Sequence, residues 1–349
     1  MSLKPRQENF LMPGEWEKHS ATWLAWLNDK DYFLGRIENI KKTYLNIIAA
    51  LTEGEIVKLL VLDQKIEDQV RKMLLAAGVD ISRIIFYQTK YFDVWIRDYG
   101  PTFIKNEKEI AWIKWNYDGY NGRFPELLPD NKVFFDLKKE IPFRMFRADI
   151  NLEGGAVESN GKGVILTTEE CLLKNRNTGK SKEENDKFLE DFLGGQKIIW
   201  LKNGLVNDHT GGHVDEIARF ISPAKILCAY EEDPSDENYE RLSENYKILQ
   251  ASADQTGNKF EIIKLPMPHV FYEKGEEEHN GKKAPASYTN FYIGNKTVLV
   301  SVFNDPNDQK ALSIIKNCFP DKKVIGLDCR DLLYGGGAIH CITQPEPAF

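Results

Sequence analysis

Cysteine is scarce in this sequence: five in 349 residues, at Cys171, Cys228, Cys318, Cys329 and Cys341. No two form a CxxC pair and none falls in a zinc-finger register, so the chain reads as neither a disulfide-stapled scaffold nor a zinc ribbon. An odd count leaves at least one thiol unpaired, and free thiols in a cytoplasmic protein are expected. No run approaches the roughly 18 consecutive apolar residues of a membrane span. Basic charge is not in excess: 46 Lys+Arg against 53 Asp+Glu leave a net charge of −7. That argues against nucleic-acid partners, which need a basic face. The opening MSLKPRQENFLMPGEW lacks an apolar h-region, so no secretory signal is expected. Linker-like stretches are missing too, and the longest polar segment, residues 273–283, reads as a solvated loop. With 42% hydrophobic and 11% aromatic residues, the chain can bury a core unaided, and disorder is excluded.

What is present is a recurring pattern. β-rich runs flank turn residues in Gly100–Tyr117, Gly155–Cys171, Asp215–Tyr230 and Asn290–Phe303, which predicts four hairpins. Apolar residues at helical spacing predict helices over Leu34–Thr52, Lys65–Ala77, Ser181–Leu193, Ser235–Ala253 and Asp305–Phe319. Asp305-Pro306 and Ser235-Asp236 are candidate helix caps. Single strands are expected at Lys197–Leu201, Phe260–Leu265 and Lys323–Leu327. The unit is hairpin, helix, strand, repeating at a period of roughly 55 to 70 residues, longer than the common short repeats. It suggests a radial α/β assembly, with an ordinary mixed α/β domain as the alternative.

Four segments interrupt this pattern and set glycine beside titratable groups: Trp95–Pro101 (WIRDYGP), Asn151–Gly155 (NLEGG), Asn207–Asp215 (NDHTGGHVD) and Gly335–Gln344 (GGGAIHCITQ). Glycine allows turns and close approaches that a Cβ forbids. Together they supply a thiol, imidazoles and carboxylates, among them Asp98, Glu153 and Asp215. Strand alternation would put Arg97 and Asp98 on opposite faces, and His213 and Asp215 on one. Cys341 is the candidate nucleophile and His213 its base, with His340 structural and the other cysteines packing residues. The surplus of carboxylates points to a cationic substrate. His209, His213 and Asp215 are a rival zinc set, but no HExxH helix or paired cysteine accompanies them. No metal or cofactor is therefore expected.

These segments, with Met12–Glu17 (MPGEWE) and Thr22–Trp26 (TWLAW), resemble the agmatine deiminase branch of the guanidine-modifying (pentein) superfamily over nearly the whole chain. The resemblance implies one catalytic domain over residues 1–349. It implies an α/β propeller of five pseudo-repeated hairpin–helix–strand units around a central axis. It also implies metal-free hydrolysis of agmatine to N-carbamoylputrescine and ammonia through an amidino-cysteine, in polyamine biosynthesis. By matched position, Cys341 is the nucleophile, His213 the general acid/base and Glu153 its orienting carboxylate, while Asp98 and Asp215 grip the guanidinium. Gln344 is an expected substrate contact, and Trp95 either covers the substrate's alkyl chain or packs into the core.

The sequence departs from the pattern at two places. His209 stands where the branch carries an acid for the substrate's distal amine, with Asp208 beside it, and Ala338 stands where Asn is usual. Deimination of free or peptidyl arginine is the alternative, and a non-catalytic pentein binding module the remote one. No nucleic acid or membrane partner is expected, and a homo-oligomer is left open.

Overall fold

The computed structural model describes residues 3–28, 33–274 and 280–349. Among these residues, sixteen strands form five small sheets. In the first, β1 (His19–Ala25), β2 (Ile56–Val61) and β3 (Ile84–Gln88) run parallel. The next four follow one plan, an antiparallel hairpin with a third strand added parallel to its second. They are β4 (Thr102–Lys105), β5 (Ile110–Asn116) and β6 (Arg144–Asn151); β7 (Glu158–Ser159), β8 (Val164–Thr168) and β9 (Lys197–Leu201); β10 (Ala218–Ser222), β11 (Lys225–Tyr230) and β12 (Glu261–Pro266); and β13 (Tyr292–Ile293), β14 (Thr297–Val302) and β15 (Lys323–Asp328). The last strand, β16 (Gln344–Pro347), pairs antiparallel with β1, so the two ends of the chain together make the fifth hairpin.

Parallel neighbours need a crossover. Helices supply it at Ile37–Thr52, Gln64–Ala76, Lys182–Leu193, Tyr239–Ala251 and Asp308–Cys318. The Lys182 helix starts where the sequence says it should, in a capping box between Ser181 and Glu184. The proposed caps of the last two helices are corrected. Those helices begin later, at Asn238 and Asn307, because Asp236 and Asp305 accept hydrogen bonds from Asn238 and Asn307 and so close a turn ahead of each helix. Between β5 and β6 only short helical turns occur. Of the polar segment 273–283, residues 275–279 lie outside the described ones.

Burial shows the radial order. Hairpin strands such as β8 are buried along their length, whereas the third strands β12 and β15 are partly or fully exposed at all but one residue each. Polar contacts then join neighbouring units in sequence around a ring. Gln344 donates to Pro101 O at 2.6 Å, and Gly155 N to Asp98 at 3.2 Å. Arg219 Nε meets Glu158 at 3.0 Å and its Nη1 meets Phe291 O at 2.6 Å. Tyr292 Oη lies 2.7 Å from Thr22 on β1, which closes the circle. The recurrent pattern in the sequence is thus a fan of five units whose first strands converge.

Candidate active site

Three of the converging strands, β4, β7 and β10, are preceded by a coiled turn, not by extended chain. Ile96–Tyr99 is one turn of helix, and Gly154–Ala156 and Val214–Glu216 are 3-10 turns. The strand-alternation argument for Arg97/Asp98 and His213/Asp215 is therefore corrected, although its outcome stands. Arg97 turns away to pair with Glu15 at 2.9 Å, while Asp98 faces the axis. His213 and Asp215 meet around Gly155. A Cβ there would lie 2.6 Å from His213 Nδ1, 2.9 Å from Asp215 Oδ2 and 3.1 Å from Asp98 Oδ1. Only glycine lets these three groups come together.

His213 is wholly buried. Its Nε2 is 3.4 Å from Glu153 Oε2 and its Nδ1 3.8 Å from Asp98 Oδ1. Burial opposes its charge, but Asp98, Cys171 and Glu153 together hold its pKa well above the usual imidazole value. Glu153 receives Arg176 Nε at 2.7 and 2.9 Å. Burial would raise the Glu153 pKa, and the Arg176 charge overcomes this and holds it low. No motif announces Arg176, which ends the π-helical turn Glu170–Arg176. Nor is Cys171 a plain packing residue, since its sulfur lies within 4.8 Å of a His213 ring nitrogen and a Glu153 carboxylate oxygen.

Cys341 is 4% exposed. Asn290 donates to its sulfur at 3.3 Å, and the thiol points at Glu216 Oε1 at 3.9 Å. Glu216 and Asn290, joined at 2.7 Å, were not foreseen. Glu216 follows Asp215 directly in the same 3-10 turn, which was the available signal; nothing marks Asn290. Burial, Asp215, Glu216 and Asp98 push the Cys341 thiol well above its ordinary pKa, against a favourable backbone hydrogen bond from Ala338. Burial and the neighbouring carboxylates raise Asp98 to about 6 and Glu216 well above the carboxylate range.

His340, the structural histidine, bridges two buried acids, with Nδ1 2.7 Å from Asp215 and Nε2 2.9 Å from Glu15. Burial acts to raise Asp215, and His340 outweighs it, so that carboxyl stays low. Around Cys341, three buried atoms have no hydrogen-bond partner among the described residues: His213 Nδ1, Asp215 Oδ1 and Glu216 Oε2. Acceptors and negative charge thus surround the thiol, an environment suited to a cation with several N–H donors.

A cavity of about 310 Å³ opens from Cys341 and Asp98 past Trp95, Tyr120 and Phe124 to His209. Two expected contacts are corrected. The Asp208 carboxylate turns into its own loop, accepting from Thr210, Gly212 and His213. Gln344 lines a different cavity, with Met12, Glu15 and Arg97, because β16 pairing aims its amide at Pro101 O. The rival zinc set is not assembled. His213 instead groups with Glu153 and Cys171, whose ligand atoms lie within 4.8 Å of one another. Arg176 already neutralises Glu153 there. All five cysteines are free thiols. No helix among the described residues is long and apolar enough to cross a membrane.

Comparison with known proteins agrees with this geometry. A Legionella pneumophila protein named "Putative agmatine deiminase" is 36% identical, with 99% of this chain and 97% of that one covered. The agmatine deiminase of Enterococcus faecalis superposes with a TM-score of 0.91 at 32% identity, covering 99% and 98% of the two chains. A Cys-to-Ser variant of C. jejuni agmatine deiminase with substrate bound superposes at 0.84 and 28% identity, covering 97% and 96%. The pattern of one family matches residues 11–347. By fold, sequence and extent of match, the chain belongs to the Porphyromonas-type peptidyl-arginine deiminase family.

Proposed function

We propose that this protein hydrolyses a small guanidine, agmatine in the first instance, to a ureido product and ammonia. The observation that carries the reading is the thiol of Cys341 ringed by Asp98, Asp215 and Glu216, with His213 across Gly155. A guanidinium stays protonated in water and presents planar N–H edges that match carboxylates. Asp98 and the free oxygen of Asp215 would hold those edges. The bound cation offsets the carboxylates that keep Cys341 protonated, so substrate itself promotes the thiolate, and the thiol proton leaves to solvent. Sulfur adds to the guanidinium carbon. Imidazolium His213 gives its proton to the departing nitrogen, which leaves as ammonia. The remaining amidino-cysteine is attacked by water, one of whose protons passes to His213, and collapse frees the urea while the other proton neutralises the departing sulfur as the thiol. Glu153 and Arg176 fix the imidazole in place throughout. Trp95, Tyr120 and Phe124 cover the alkyl chain.

A second reading, free arginine as substrate, is supported by one feature. His209 sits at the mouth, with Arg123 donating to its carbonyl at 3.3 Å, so basic groups lie where a carboxylate tail would end. Ammonia release measured in parallel on agmatine, arginine and arginyl peptides decides between them. Turnover of agmatine with the highest kcat/KM supports the first reading, and turnover of arginine alone replaces it with the second.

A further inference from the structure

A second cavity, of about 770 Å³, lies beside β5 and β6, away from the Cys341 cavity, and is built around cations. Lys114, on the buried strand β5, is 1% exposed. Its ammonium donates to Trp115 O at 2.6 Å and Asn131 Oδ1 at 2.9 Å, both neutral acceptors. No carboxylate pairs with it among the described residues. Arg147 on β6 lines the same cavity, and Phe135 lies between the two cations, 5.6 Å from Lys114 Nζ and 5.7 Å from the Arg147 guanidinium. Lys180 adds a third positive residue to the wall, and Asn116, Asn151 and Asn177 add amide groups. Asp149 is the one acid on the wall, 3.3 Å from Arg147, and its side chain is 88% exposed.

A buried ammonium without a counter-charge is costly, and proteins relieve it by pairing it or giving up the proton. Here burial and nearby Arg147 already push Lys114 down to about 7. A bound anion would remove that penalty. From the juxtaposition of buried Lys114 with Arg147 and a wall of asparagine amides, we infer that this cavity binds a small oxyanion, a phosphate or carboxylate group. The site is separate from deimination and does not depend on the assignment of Cys341.

Inorganic phosphate and succinate, titrated calorimetrically into the whole protein at constant ionic strength, test it. Saturable binding of one per chain is expected for at least one of them, and the preferred probe shows which oxyanion the site favours. Lys114→Met and Arg147→Gln should each weaken that binding at least tenfold, and Asp149→Asn should tighten it. Arg147 and Asp149 are exposed, so those two variants test the site even if Lys114→Met fails to fold. No saturable heat with either anion, or binding indifferent to Arg147→Gln and Asp149→Asn, overturns the proposal.

Discussion

Glu216 shows how the site is tuned one residue at a time. Burial beside Asp215 and Asp208 holds its folded pKa well above the unfolded value. The stability it lends is therefore complete below the unfolded pKa and lost as pH rises through the folded one. Glu216→Gln resembles the protonated carboxyl and escapes that loss. Its denaturation temperature should match wild type near about pH 4, below the unfolded pKa, and exceed it increasingly toward about pH 8. A gap that is constant or reversed between the two pH values contradicts the assignment. His209 gives a second residue-scale prediction, because it departs from the branch pattern at the cavity mouth. With an amine tail, His209→Asp adds an opposite charge and should lower KM for agmatine with kcat nearly unchanged. A raised KM for agmatine, with a lowered one for arginine, would point to the opposite tail chemistry.

At the scale of elements, the coiled turns before β4, β7 and β10 do what extended strands could not. They bring Asp98, Glu153, His213 and Asp215 onto one axis from three different units. Gly155 is the point of closest approach, so Gly155→Ala must displace His213 Nδ1 or Asp215. A shift of about 1 Å at reacting groups costs roughly 100-fold in rate. Steady-state kcat should fall by about that factor while circular dichroism is unchanged. Near-normal kcat would mean that the three groups need not converge there. Hairpins, helices and third strands were largely legible because apolar period and turn residues are local signals. The strand β9 was read to the residue. The turns were misread as strand because flanking β-rich residues dominate the pattern, and tertiary closure overrides them. Arg176, Asn290 and Cys171 were not read as part of the site, since each is placed by long-range packing and no spacing records it.

For the whole molecule, closure depends on the last strand. Glu346 on β16 is 3% exposed and binds Lys58 Nζ at 2.9 and 2.7 Å and Trp23 Nε1 at 2.9 Å. It thereby ties the C-terminus to β1 and β2. Glu346→Gln leaves Lys58 buried without a counter-charge, at a cost of about 3–5 kcal/mol. The denaturation midpoint should drop accordingly, while kcat at low temperature is retained because Cys341 and its partners are untouched. An unchanged midpoint would show that the ring closes by other means. The order of the units was readable from the sequence, but the chain-end pairing of β16 with β1 was not, because partner strands so far apart carry no shared periodicity.

The central claim, that Cys341 attacks a guanidinium held by surrounding carboxylates, is tested most directly by the intact mass of the protein quenched with acid during agmatine turnover. The account predicts an amidino adduct that maps to Cys341, together with ammonia release, and loss of both in Cys341→Ala. Ammonia release that persists in Cys341→Ala, or an adduct on Cys171, would contradict it.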